Sequence, residues 1–324
     1  MLNSRVLNFL AVVTIIPFVS RSNIAWSQTQ SRVIRDSCIK PVGRIITSGK
    51  SRKICKGEQI NLVNDSIILC YINAKVLRLQ AGIYKTDSIC MATQVVQKCT
   101  PTSPEHCPNR KGPDENENAP NIIQPYGKIL INNRPLISWA AVPGATSYTV
   151  QGKSSGISWE TEVKDTTLPY PIERKELQYG NAFKIIVIAN KGNSPISADA
   201  LVVHLLPEIK IKQINQVVQQ IISLGLPSDE VFVDLDAIYM SEGLLNQTIE
   251  SLKERIRKGS QNPTLYRILG DRYVEAWLPE EAKGVYIKAV GLARVQHNSV
   301  ELALAQERLR LLESVGETIT GPVT

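Results

Sequence analysis

Cysteines, histidines and paired carboxylates are the residues of this chain that could do chemistry, and each set is sparse. There are six cysteines, Cys38, Cys55, Cys70, Cys90, Cys99 and Cys107, and three histidines. Cys99, His106 and Cys107 could offer thiolates and an imidazole to zinc, but the C-x2-C pairing of a closed structural site is missing. A nucleophilic cysteine needs an activating base, and the nearest histidine, His106, stands in the Pro-rich run TPTSPEHCPNRKGP. His204 interrupts the apolar run LVVHLL as an ordinary strand residue would, and no G-x-S-x-G elbow exists for a serine. Glu160 and Glu162 share one face of an alternating segment, where exposed charge explains them. No acid, base, nucleophile or metal-ligand set converges, so the chain reads as non-enzymatic, with no cofactor and no metal.

What must position these residues follows from composition. The chain has 324 residues, 43% hydrophobic and 21% charged, too apolar for disorder and long enough for several domains. Its net charge of +7 is unevenly placed. Residues 28–111 hold 14 Lys/Arg against 5 Asp/Glu, whereas residues 208–324 hold 13 against 16. All six cysteines fall in the basic segment.

Residues 1–27 read as a secretory signal peptide. Arg5 precedes an apolar stretch from Val6 to Val19, and Ala25-Trp26-Ser27 offers small residues before Gln28. An uncleaved anchor is the alternative, although the stretch is short for a bilayer and carries Pro17. The mature protein is expected to be exported, periplasmic or extracellular, with no transmembrane segment after cleavage. In an oxidising compartment an even cysteine set favours structural disulfides over metal.

Residues 28–111 form a basic cysteine-rich β-domain. Short runs at GRIIT (43–47), INLV (60–63), SIILCYI (66–72) and KVLRL (75–79) are separated by turn residues, and so small a core benefits from staples. The order Leu69, Cys70, Tyr71, Asn73, Lys75, Val76, Leu79, Gly82 and Cys90 resembles FecR-like domains of exported bacterial proteins. That resemblance implies Cys70–Cys90 as the preferred pair. The basic excess could meet phosphates, but Tyr71 and Tyr84 are nearly its only aromatics, so no nucleic acid is expected. An anionic envelope polymer is the better candidate ligand for such a face.

Residues 112–124 (GPDENENAPNIIQ) read as a linker. From 125 to 206, alternating apolar positions and turn signals at Pro143-Gly144, Ser154-Ser155-Gly156, Tyr179-Gly180-Asn181 and Lys191-Gly192-Asn193 predict a β-sandwich. The order W-x-x-V-P-G-A-x-x-Y-x-V from Trp139, then L-x-Y-G-x-x-F-x-I-x-V-x-A from Leu177, resembles a fibronectin type III module. It implies a core of Trp139, Tyr148, Phe183, Ile185 and Val187. Phe183 stands where the family carries tyrosine, which leaves that family's corner hydroxyl without a donor.

After Pro207 the apolar period becomes helical, with Ile211, Ile214, Val218 and Ile221 on one face. Tyr266, Leu269, Gly270, Tyr273, Ala282, Tyr286 and Ala289 then follow the spacing of a tetratricopeptide repeat, and a degenerate copy lies 34 residues earlier with Asp236 at the glycine position. Asn262-Pro263 and Leu278-Pro279 open the two helices of the clearer repeat. The helical domain is expected over 207–316, with a tail at 317–324. Such arrays bind peptides along their first helices, and the register implies Glu230, Asp234, Thr264, Arg267, Asp271 and Glu275 as partner-binding residues, with Ala237 and Val274 beside them. An acidic groove of this kind prefers a basic or polar segment.

The fold class expected is therefore multidomain: a disulfide-stapled β-domain, a fibronectin type III-like sandwich and an all-α tetratricopeptide-type array. The whole order resembles exported bacterial, above all cyanobacterial, proteins. The function expected is protein–protein interaction or scaffolding through the helices. The alternatives are an envelope sensor or surface-binding protein acting through the basic domain, and, last, an enzyme.

Overall fold

A computed structural model describes residues 38, 40–91, 100–102 and 118–319, all within one compact unit running from Asp36 to Thr324. The basic segment folds as a four-stranded antiparallel sheet in the order β2-β1-β4-β5, made of β1 (Pro41–Thr47), β2 (Lys50–Cys55), β4 (Ser66–Cys70) and β5 (Lys75–Leu79). A separate ribbon pairs β3 (Gln59–Leu62) with β6 (Gly82–Lys85), and the single-turn helix α1 (Thr86–Cys90) follows. The run SIILC is buried at every position, because both faces of the sheet are covered and polar alternation disappears. One face puts Ile45, Ile54, Ile68 and Cys70 against Ile60, Leu62 and Cys90. The other puts Ile46, Ile67 and Leu69 against helices from the far end of the chain.

Two disulfides staple this domain, Cys38–Cys55 and Cys70–Cys90. Cys99 and Cys107, with His106, lie outside the described residues. Strand β2 is absent from the pattern read above, since KSRKIC holds a single large aliphatic residue. The turn at Ser48-Gly49, both at positive φ, reverses the chain and delivers β2 to β1.

The sandwich has two sheets. One is β11-β10-β13-β14-β8, from β8 (Ile129–Leu130), β10 (Ser147–Ser154), β11 (Ile157–Val163), β13 (Ala182–Lys191) and β14 (Ser194–Leu205). The other is β12-β9-β7, from β7 (Ile122–Gln124), β9 (Leu136–Trp139) and β12 (Thr167–Pro169). Between them lie Trp139, Tyr148, Phe183, Ile185 and Val187, all buried. Tyr148 Oη accepts the Val142 N–H at 2.9 Å. Trp159 lies across from Gly152, where an added Cβ would meet its indole at 2.3 Å. Beside the Phe183 ring, Tyr170 donates its hydroxyl to the Lys175 carbonyl at 2.7 Å. Ile122–Gln124, read from sequence as the end of a linker, pairs with β9 as a strand of the sandwich. A three-residue strand in a polar context carries too little periodicity to read.

Among the described residues six helices follow the sandwich: α2 (Glu208–Ser223), α3 (Ser228–Ser241), α4 (Leu245–Arg257), α5 (Pro263–Glu275), α6 (Pro279–Val295) and α7 (Ser299–Ile319). Asn262 caps α5 by accepting the Thr264 N–H at 3.0 Å, with Pro263 at the first helical position. The repeat positions Tyr266, Leu269, Tyr273, Ala282, Tyr286 and Ala289 are buried. Gly270 explains the spacing: a Cβ there would lie 2.3 Å from the Tyr286 ring, so only glycine lets α6 approach α5. The segments are not beads on a string. Tyr126 of the sandwich joins the core of α4, α5 and α6, and the β1/β4 face joins α2 and α3.

Candidate functional site

Helix α3 carries Glu230 and Asp234 four residues apart, and therefore on one face. Opposite them, Arg44 of β1 and Lys53 of β2 are direct partners across the strand ladder, so their side chains share the sheet face that meets α3. Arg44 Nη2 donates to Glu230 Oε2 at 2.7 Å, and Lys53 Nζ donates to Glu230 Oε1 at 2.9 Å. Arg44 Nε lies 2.8 Å from Asp234 Oδ2 as an ion pair that is not aligned as a hydrogen bond. Tyr71, just past β4, donates its hydroxyl to Asp234 Oδ1 at 2.6 Å. Arg44 is 3% exposed, Asp234 0% and Glu230 33%. The same β1/β4 face and helices α2 and α3 also pack Ile46, Ile67, Leu69, Ile214, Val217 and Leu235 into one hydrophobic cluster, with Tyr71 at its edge.

Burial decides the proton affinities. Desolvation drives the Asp234 carboxyl up to about 6, although Arg44 and the Tyr71 hydroxyl pull the other way. At the rim burial raises Glu230 less, and the hydrogen bonds from Lys53 and Arg44 bring it below the ordinary carboxylate value. Burial and the neighbouring carboxylate push the Tyr71 phenol well above its ordinary range, so it remains a donor. The guanidinium of Arg44 loses hydration, yet Asp234, Tyr71 and Glu230 more than compensate and hold it charged.

The other expected partner-binding residues are also engaged within the chain. Arg267 Nε lies 2.7 Å from Glu301 on α7, and its Nη1 donates to Asp271 at 3.1 Å. Asp271 also accepts from the Tyr286 hydroxyl at 2.8 Å and pairs with Arg308 at 3.1 Å. Glu275 pairs with Arg272, whose guanidinium forks onto Asp236 at 2.7 and 2.9 Å. Asp236, the departure from glycine in the degenerate repeat, is thus the anchor of Arg272, whose side chain is 11% exposed. Thr264 is half-buried and supplies the capped N–H. Ala237 and Val274 are core residues, not groove lining, because their faces turn into helix–helix contacts.

The structure therefore joins Glu230 and Asp234 to three residues not singled out as partners of the array: Arg44, Lys53 and Tyr71. Their signal was the segregation of charge, a basic N-terminal segment and a net acidic helical one. Elsewhere, Glu160 is exposed and accepts from Gln151 at 2.8 Å, and Glu162 and His204 are exposed on strands. Among the described residues no group of three or more His, Cys, Asp or Glu is placed to hold a metal ion, and no helix is long and apolar enough to cross a membrane.

No family model matches the chain, and no curated protein matches it. Solved structures that match include PcrH from Pseudomonas aeruginosa, 18% identical, covering 34% of this chain and 83% of that one with a TM-score of 0.28. A second is PcrH in complex with the chaperone binding region of PopD, 19% identical, covering 35% and 85%, also with a TM-score of 0.28. A likeness this slight carries no function across, and the helical array stands on its own geometry.

Proposed function

We propose that the chain is an exported, non-enzymatic interaction protein whose tetratricopeptide-type helices act first as a clamp on its own basic β-domain. The observation that carries this reading is the mating of Arg44, Lys53 and Tyr71 with Glu230 and Asp234, with a hydrophobic cluster on the same face. A surface of this kind binds a basic, tyrosine-bearing protein face, and the β-domain is that face. A partner in trans then meets the part of the array beyond α3, along α5, which carries Thr264, Arg267, Asp271 and Glu275 and whose Arg267 and Asp271 pair with α7. The strand orders β12-β9-β7 and β11-β10-β13-β14 support assigning the sandwich to the fibronectin type III type, and the Cys70–Cys90 bridge accords with a FecR-like assignment of the first domain. Two disulfides accord with export.

A photo-crosslinking residue at Arg308, beside Asp271, in the full chain tests the partner claim against one at Lys153 on the sandwich. Capture of a partner from Arg308 alone supports it; capture from Lys153 alone moves the partner to the sandwich. A second reading has its own observation. Lys50, Lys56, Lys75, Arg78 and Lys85 are exposed and pair with no carboxylate among the described residues, leaving a basic surface for an anionic polymer. Binding of the full chain to a polyanion, lost on charge reversal at Lys56 and Lys85 while the Arg308 crosslink persists, would separate the two.

A further inference from the structure

Asp234 stands out in the molecule: a fully buried carboxyl at the seam between two parts of the chain, close to a cation that it does not meet with a directed hydrogen bond. The groups that face it come from both sides of the seam. Arg44 of β1 and Tyr71 after β4 lie against it, Lys53 of β2 stands one step outward, and Glu230 lies one turn earlier on its own helix. From the helices packed on α3, Arg272 of α5 is committed to Asp236 and Glu275, and Arg255 of α4 to Asp229. Two carboxylates therefore share one guanidinium, and the deeper of them sits in apolar surroundings that favour its neutral form.

From this arrangement we infer that the seam between the β-domain and α3 is a pH-sensitive latch, which tightens on mild acidification through protonation of Asp234. This rests on the clamp reading above, since it needs the β-domain to be held by α3.

The direction follows from linkage. A carboxyl whose docked pKa is raised takes up its proton more readily docked than free, so docking is strongest below its free value and weakens as pH rises through the docked one. For Asp234 that interval runs from an ordinary 3.8 to about 6. Glu230 is shifted the other way: its contribution is present above its ordinary value of 4.5 and fades as pH falls through its lower docked value. The latch is therefore tightest in mild acid and loosens toward neutrality. Between pH 7.5 and 5 the docking equilibrium should gain about tenfold, as expected for a carboxyl moving from about 4 to about 6.

Hydrogen–deuterium exchange of the β1 and β4 amides in the full chain reads this out, with Asp234→Asn as a neutral isostere measured at each pH so that intrinsic exchange cancels. The ratio of wild-type to D234N protection should rise about tenfold from pH 7.5 to pH 5. A ratio that stays flat or falls overturns the latch. Tyr71→Phe supplies a second arm should D234N not fold. It removes a hydrogen bond that favours the carboxylate, so the rise should move to higher pH, and an unmoved or downward-shifted profile overturns the assignment to Asp234. Glu230→Arg separates the layers: if it leaves β1 and β4 fully protected, the clamp itself is wrong, whereas lost protection in E230R with a flat ratio condemns the latch alone.

Discussion

At the scale of the residue, each buried charge needs a partner to offset its lost hydration. Arg44 is nearly inaccessible and faces two carboxylates. Arg44→Met would leave both without their guanidinium, and such a break costs about 3–5 kcal/mol. Urea denaturation at pH 7.5 should show that loss, whereas Asp234→Asn should cost nothing there or stabilise, because burial already opposes the Asp234 charge. A loss in D234N as large as in R44M would mean that the ionised carboxylate is the stabilised form. A second residue-scale prediction concerns Gly270. Gly270→Ala drives a methyl into the Tyr286 ring and should cost about 1–3 kcal/mol in thermal or chemical unfolding, and a smaller Tyr286→Leu partner should recover part of it. Neutral behaviour of G270A would remove the packing reason given for the repeat spacing.

At the scale of elements, the sequence was most legible where one residue type at a fixed spacing has a steric cause. The positions from Tyr266 to Ala289 and the cap at Asn262 were readable because a glycine crossing and a proline start leave few alternatives. The fibronectin type III resemblance implied Trp139, Tyr148 and Phe183 as core, and along β13 strand alternation buries Phe183, Ile185 and Val187 on one face. Strand β2 was not, since Lys53 points to a protein surface that only the far end of the chain supplies, and a lysine in a strand reads as solvent-facing. The run at β4 is buried at all five positions because the sheet is covered on both faces, yet nothing local in it said that the second cover was α2 and α3. The disulfides belong to this scale too. Reducing Cys38–Cys55 and Cys70–Cys90 should destabilise the β-domain by about 2–4 kcal/mol. In exchange or proteolysis under reductant, its strands should open before α5 and α6. Simultaneous loss of both would mean that the sheet and the array unfold as one.

At the scale of the whole molecule, the acidic face expected to be an open groove is the seat of the chain's own basic domain. The sequence held both halves of that interaction, 14 Lys/Arg against 5 Asp/Glu in residues 28–111 and an acidic excess after 208. What it could not supply was their adjacency, because the sandwich separates the two in sequence and only the packed fold brings residues 44 and 230 together. Arg267, Asp271 and Glu275 were likewise readable as a charged face, but their pairing with Glu301, Arg308 and Arg272 depends on where α7 lies.

A charge swap across that seam tests the clamp most directly. Protection of the β1 and β4 amides would be compared in wild type, Glu230→Arg, Arg44→Glu and the double variant. Each single reversal should expose these strands to exchange, and the double variant should restore a large part of the protection, with a coupling energy well above the ~0.5 kcal/mol seen between independent sites. Single reversals that leave β1 and β4 as protected as in wild type, or a double variant whose losses simply add, would contradict the docking of the β-domain on α3.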